Sequence, residues 1–203
     1  HRDLHSFPTR RSSDLQGGTY KISITNDQMF GSYMLNGEKK MLPRGTTPAT
    51  LAAAIPAGAT EVQTAEANNR IETFVTAGEP TTSVFTSGGK GIEMIPVTHP
   101  NDLAVDEEAT FQFLLDGKPA ADLEVVAIPG GIRYRADLKQ ISAKTDAEGK
   151  VRFTWPEAGM YWVSVSIGGR RGEGAGGPPP ATPPQPEAPE RRASYSMTVE
   201  VQG

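Results

Sequence analysis

Along most of the chain, apolar and polar residues alternate with a period of two, and the runs are short and closed by glycine, proline or aspartate. Tyr20, Ile22 and Ile24 alternate with Thr19, Lys21 and Ser23; Phe111 and Phe113 alternate with Thr110 and Gln112; Val163 and Val165 alternate with Ser164 and Ser166. Successive side chains of a strand point to opposite faces, so each run reads as a half-buried β-strand. Residues 71–75, 92–97, 123–128, 133–138, 141–145, 151–155 and 192–201 read as further strands, with Pro96 placing the second of them at an edge or an end. Turn chemistry lies between them: Asn36-Gly37, Asp116-Gly117-Lys118-Pro119 and the stretch from Asp146 to Gly149. Residues 51–55 (LAAAI) predict one helical turn. Strands at this spacing from about residue 87 onward describe a β-sandwich, with Phe111, Phe113, Val125, Phe153 and Val163 as its core.

An internal echo extends the reading. Residues 18–24 spell G-x-Y-x-I-S-I and residues 159–165 spell G-x-Y-x-V-S-V. Each is followed by an arginine and a second β-rich run, at 70–76 and 192–201. The echo predicts two related, Ig-like sandwiches in tandem. Residues 16–86 are then the remnant of a first domain truncated at its N-terminus, and residues 87–203 are a complete second one. The glycine pair Gly88-Gly89 marks the boundary. Residues 168–189 form a Gly/Pro-rich loop inserted before the last strand, too poor in apolar residues to pack a core.

The opening residues do not fit this pattern. Residues 5–15 (HSFPTRRSSDL) match the conceptual translation of a common short-read sequencing adapter, so residues 1–15 are set aside as a non-native segment. His99 is then the one histidine left for chemistry, and the true N-terminus with any signal peptide is expected upstream of Gln16.

Charge and composition narrow the function. The formal net charge of −4 argues against non-specific nucleic-acid binding, which needs a basic face. With no cysteine in the chain, disulfides, thiolate zinc sites and cysteine nucleophiles are excluded. No apolar run reaches the length of a membrane span.

Candidate chemistry centres on His99. With Asp102 beside it, and Asp106, Glu107 and Glu108 close in sequence, it could form an N/O metal site. In the other reading, Thr98, Asn101 and Asp102 fold an Asx-type turn and His99 hydrogen-bonds the loop. Asp102 lacks a nucleophile in any triad pattern, and the chain reads as non-catalytic. Arg133 and Arg135 flank Tyr134 beside a glycine pair, either an anion site or the charged face of a strand.

Six motifs resemble one family. They are RIETFVTAGEPTT at 70–82, GIEMIPVTHPNDL at 91–103, FQFLLDGKPA at 111–120, IPGGIRYR at 128–135, KTDAEGKVRFTWPEAGMYW at 144–162 and ERRASYSMTVEV at 190–201. Together they resemble the bacterial domain-of-unknown-function family 4198, often labelled a periplasmic component of nickel or cobalt uptake. The D-G-K-P and T-D-x-x-G turns are also similar to those of transthyretin-like and carboxypeptidase-regulatory sandwiches. The resemblance implies a periplasmic or secreted, non-catalytic accessory or binding protein. Nickel or cobalt would be its metal, for which His99 and Asp102 are the candidate ligands read from the residues of this chain, and a membrane metal transporter or another envelope protein its partner. It equally implies an adhesion or scaffold module with no metal role.

Overall fold

The structure is a computed structural model that describes residues 16–168 and 190–203; the adapter-like stretch 1–15 and the Gly/Pro-rich stretch 169–189, expected from the sequence as a loop, lie outside the described residues. In chain order the elements are β1 (Gly18–Leu35), β2 (Glu38–Met41), α1 (Leu51–Ala54), β3 (Thr60–Ala77), β4 (Ile92–Pro96), β5 (Glu108–Leu115), β6 (Lys118–Pro119), β7 (Glu124–Pro129), β8 (Ile141–Lys144), β9 (Lys150–Thr154), β10 (Gly159–Ile167) and β11 (Glu190–Val201). The fold is all-β. A seven-stranded sheet runs β2-β1-β3-β11-β10-β7-β8, and β4, β5, β6 and β9 form a smaller sheet around β5. The two are stacked face to face over one apolar core.

Local chemistry explains the strand ends. Asn36 and Gly37 both take positive φ, 54° and 81°, the paired left-handed conformation that joins β1 to β2 in a two-residue hairpin. Asp116 and Gly117 repeat this between β5 and β6, with φ of 51° and 75°. In the turn before β9, the Asp146 carboxylate accepts the backbone N–H groups of Glu148 and Lys150 at 3.0 and 2.8 Å. The expected core is the observed one. Phe111, Phe113, Val125 and Val163 are fully enclosed and Phe153 nearly so, joined by Trp155, Tyr161, Tyr195 and Met197.

Two expectations change. Residues 133–138 are not a strand. Gly131, at φ 75°, turns the chain into a short 3₁₀ turn over Ile132–Tyr134 that leaves Tyr134 and Leu138 exposed. The segment 16–86 does not build a sheet of its own. Its strands β1 and β3 pair antiparallel along their whole length, and β3 then pairs in parallel with β11, from Glu190↔Ala65 to Thr198↔Thr73. The seven-stranded sheet is therefore continuous across the expected boundary, and Phe74 of β3 enters the common core.

The echo has a structural meaning within that sheet. Gly18 opens β1 at φ 133° and Gly159 opens β10 at φ 130°. Each leads a strand paired antiparallel with its partner, β3 or β11, and the two partners lie side by side. Lateral order is reversed between the halves while strand direction is kept, so the halves present opposite faces. Tyr161, Val163 and Val165 point into the core, whereas the matching Ile22 and Ile24 point outward, 55% and 66% exposed.

Candidate functional site

Because β1 turns its apolar residues outward, its inner face is polar, and two hydrogen-bonded clusters form where that face meets the loops of the smaller sheet. The first surrounds His99. Thr19 is buried at the start of β1, and Thr76 lies opposite it on β3. The backbone N–H of Asn101 donates to His99 Nδ1 at 3.1 Å, so the other ring nitrogen, Nε2, carries the proton and donates to Thr19 Oγ1 at 3.0 Å. Thr19 Oγ1 also accepts from the Thr81 backbone N–H at 3.0 Å, so its own hydrogen goes to Thr76 Oγ1 at 2.9 Å. Thr76 in turn donates to Asn101 Oδ1 at 2.9 Å. The result is a closed ring, His99 to Thr19 to Thr76 to Asn101 and back, in which both imidazole nitrogens are occupied. Phe85 stacks edge-on against His99, with ring centroids 5.3 Å apart.

The structure does not bring Asp102 to His99 through its side chain. The Asp102 backbone N–H donates to the His99 carbonyl at 2.9 Å, which closes the turn, and the carboxylate is exposed. Asp106, Glu107 and Glu108 are exposed as well. Among the described residues no three His, Asp or Glu side chains are grouped so that they could hold a metal ion.

The second cluster is ionic and buried. Glu72 of β3 and Glu93 of β4 are 3% and 4% exposed. The Arg70 guanidinium lies between them, with one terminal nitrogen 3.3 Å from Glu72 Oε1 and the other 3.4 Å from Glu93 Oε1. Glu72 further accepts from Ser23 Oγ at 2.8 Å and from Tyr195 Oη at 2.9 Å, and Lys21 Nζ is 4.0 Å away. Burial beside the Glu72 charge pushes the Tyr195 phenol well above its ordinary range. Glu93 accepts from Ser87 Oγ and from the N–H groups of Gly88 and Gly89 at 2.7 and 2.8 Å. Burial raises the Glu93 carboxyl, but these donors and Arg70 together outweigh it, and its pKa falls below the ordinary glutamate value.

Beside this cluster lies a shallow cleft of about 80 Å³ lined by Asp27, Asn68, Arg70 and Lys90. Its charges are already matched. Lys90 donates to Asp27 at 2.8 Å, Asn68 donates to the same carboxylate at 2.7 Å, and Arg70 is held by Glu72 and Glu93. Of the arginines singled out in sequence, Arg135 pairs with Glu157 at 3.2 Å and donates to the Pro129 carbonyl, while Arg133 is exposed on the 3₁₀ turn.

An acid dependence follows from Glu93. A carboxyl whose folded pKa is depressed stabilises the fold above its unfolded pKa, near 4.5, and loses that contribution as pH falls through the folded value. The melting temperature is expected to be level above about pH 5 and to drop below it. Glu93→Gln should melt lower than wild type at neutral pH, and the two curves should converge as pH falls. Parallel curves from pH 7 to pH 3 would count against the assignment.

Sequence reasoning missed Arg70, Glu72 and Glu93. Two signals could have found them: Arg70 and Glu72, two apart on one strand face, and a glutamate inside the apolar run of β4.

A family model described as a domain of unknown function (DUF4198) matches residues 2–169. No curated protein and no solved structure matches the chain.

Proposed function

We propose that this chain, which belongs to the DUF4198 family, is an exported, non-catalytic accessory module that binds through its surface and performs no chemistry in a pocket. One observation carries the reading: the polar side chains best placed for chemistry are already engaged with one another. His99 has both ring nitrogens bonded, and Glu72 and Glu93 share Arg70 and are saturated by hydroxyl and backbone donors. A general base or a metal ligand needs a free lone pair facing substrate or ion. Export, and a membrane metal transporter or other envelope protein as partner, rest on the motifs that resemble the family.

A role beside nickel or cobalt uptake then operates by docking, with no metal held at His99 and Asp102. Isothermal titration of the purified chain with nickel and with cobalt tests this. The expected result is no saturable heat at neutral pH and no difference between wild type and His99→Ala. The variant should lose about 1–2 kcal/mol of folding stability, because it breaks the hydrogen-bonded ring and leaves Thr19 and the Asn101 N–H short of a partner. Saturable nickel binding that disappears in His99→Ala would replace this reading with the metal-binding one.

A further inference from the structure

The inward face of the seven-stranded sheet packs on the smaller sheet, whereas the outward one carries exposed apolar side chains. On that outward face Ile22, Ile24, Ile71 and Val75 stand together on β1 and β3, and Met160 and Trp162 stand on β10, each between 46% and 66% exposed. The register places them in adjoining rows. Ile24 is opposite Ile71, Ile22 is opposite Thr73, and Thr73 meets Thr198 at 3.1 Å, which in turn is opposite Trp162. The face is thus two apolar flanks joined by a hydroxyl stripe of Thr73, Thr198, Ser196 and Ser164. Across these rows the charged side chain is Glu200, at one end beside Met160.

We propose that this face is the interface of a homodimer, packed sheet on sheet against the same face of a second copy. Three observations select that occupant. First, the matching residues of β10, Tyr161, Val163 and Val165, are packed under a β-sheet layer, so this alternation suits a sheet cover, and a second copy is one source of such a layer. Second, the rows are almost free of charge, so they offer nothing for an oppositely charged partner to match, while an uncharged face opposes itself across a two-fold axis without repulsion. Third, the six apolar side chains expose on the order of 600 Å², the upper end for a monomer's largest patch, and with the hydroxyl stripe the face approaches the roughly 800 Å² per partner of a standard interface. Edge pairing through β2 is disfavoured, since that strand carries Glu38, Lys39 and Lys40, all exposed.

The inference deepens the binding-module reading by naming the partner of one surface, and the two fail separately. Nickel binding at His99 would overturn that reading and leave this one standing. Sedimentation equilibrium of the whole chain from about 1 to 100 µM is the test, the range in which a contact of this size holds. A dimer mass is expected at the upper end. Ile24→Lys and Ile71→Lys should each weaken association at least tenfold, with a melting curve unchanged at concentrations where wild type is monomeric, since both side chains are already exposed. Val97→Lys, at an equally exposed apolar position outside this sheet, should leave the dimer intact. A monomer at every concentration would overturn the proposal, as would a dimer indifferent to both isoleucine substitutions.

Discussion

Arg70→Ala is expected to cost about 3–5 kcal/mol of folding stability, the loss typical of removing one partner from a buried ionic group. Against a total of roughly 5–15 kcal/mol for a domain, that is a large fraction. The size follows from what stays behind. Glu72 and Glu93 remain buried with their hydroxyl and backbone donors, but the cation between them is gone, and Lys21 reaches only Glu72, at 4.0 Å. Arg70→Lys should recover part of the loss, because one ammonium cannot span two carboxylates as a planar guanidinium does. A pH series separates this electrostatic account from loss of packing. Protonating Glu93 relieves part of the uncompensated charge, so the gap between Arg70→Ala and wild type in urea denaturation should narrow as pH falls toward 4. A gap that stays constant with pH would show that Arg70 acts by packing alone.

The sequence was most legible where local rules and burial agree. β5, β7, β9 and β10 were readable because alternation gave their faces and Gly, Asp or Pro gave their ends; the Asn36-Gly37 hairpin and the turn at Asp116-Gly117 formed at the residues whose chemistry asks for them. What alternation cannot give is which side of a sheet is covered. Tyr20, Ile22 and Ile24 have the pattern of a core-facing strand, yet the neighbouring sheet lies on the other side, toward Thr19 and Lys21. The parallel pairing of β3 with β11 was equally hidden, since it joins residues more than a hundred positions apart.

The candidate site was read less well, for the same reason. Nearness in sequence pointed from His99 to Asp102, but the turn that joins them sends the carboxylate to solvent. The partners of His99 are its neighbour Asn101 and the distant Thr19, eighty residues away. A side chain at the rim of a sandwich finds its partners through strand order, which no spacing rule encodes. Glu93 shows the reverse case. A glutamate inside the run Ile92–Pro96 conflicts with its surroundings, and such conflicts mark places where a polar network has been built to receive the residue.

Trp155→Ala should match Arg70→Ala in cost, about 3–5 kcal/mol, by a different route. Trp155 is fully buried at the end of β9 and is packed by Tyr161, Phe153 and Phe111, with ring centroids 4.9, 5.7 and 6.5 Å away. Its indole nitrogen has no hydrogen-bond acceptor among the described residues, so the side chain stabilises the fold by volume and ring contact and not by a polar bond. Alanine would leave a cavity walled by three aromatic rings on both sheets, which cannot all collapse into it. Trp155→Phe keeps most of that volume and removes an unpaired buried N–H, so it should cost no more than about 1.5 kcal/mol. Neither loss should change with pH between 7 and 4, in contrast to Arg70→Ala, because no charge is exposed or stranded. Urea denaturation of both variants followed by circular dichroism decides the matter: equal losses for alanine and phenylalanine would mean that the indole N–H has a partner and that packing is not the source of the stability.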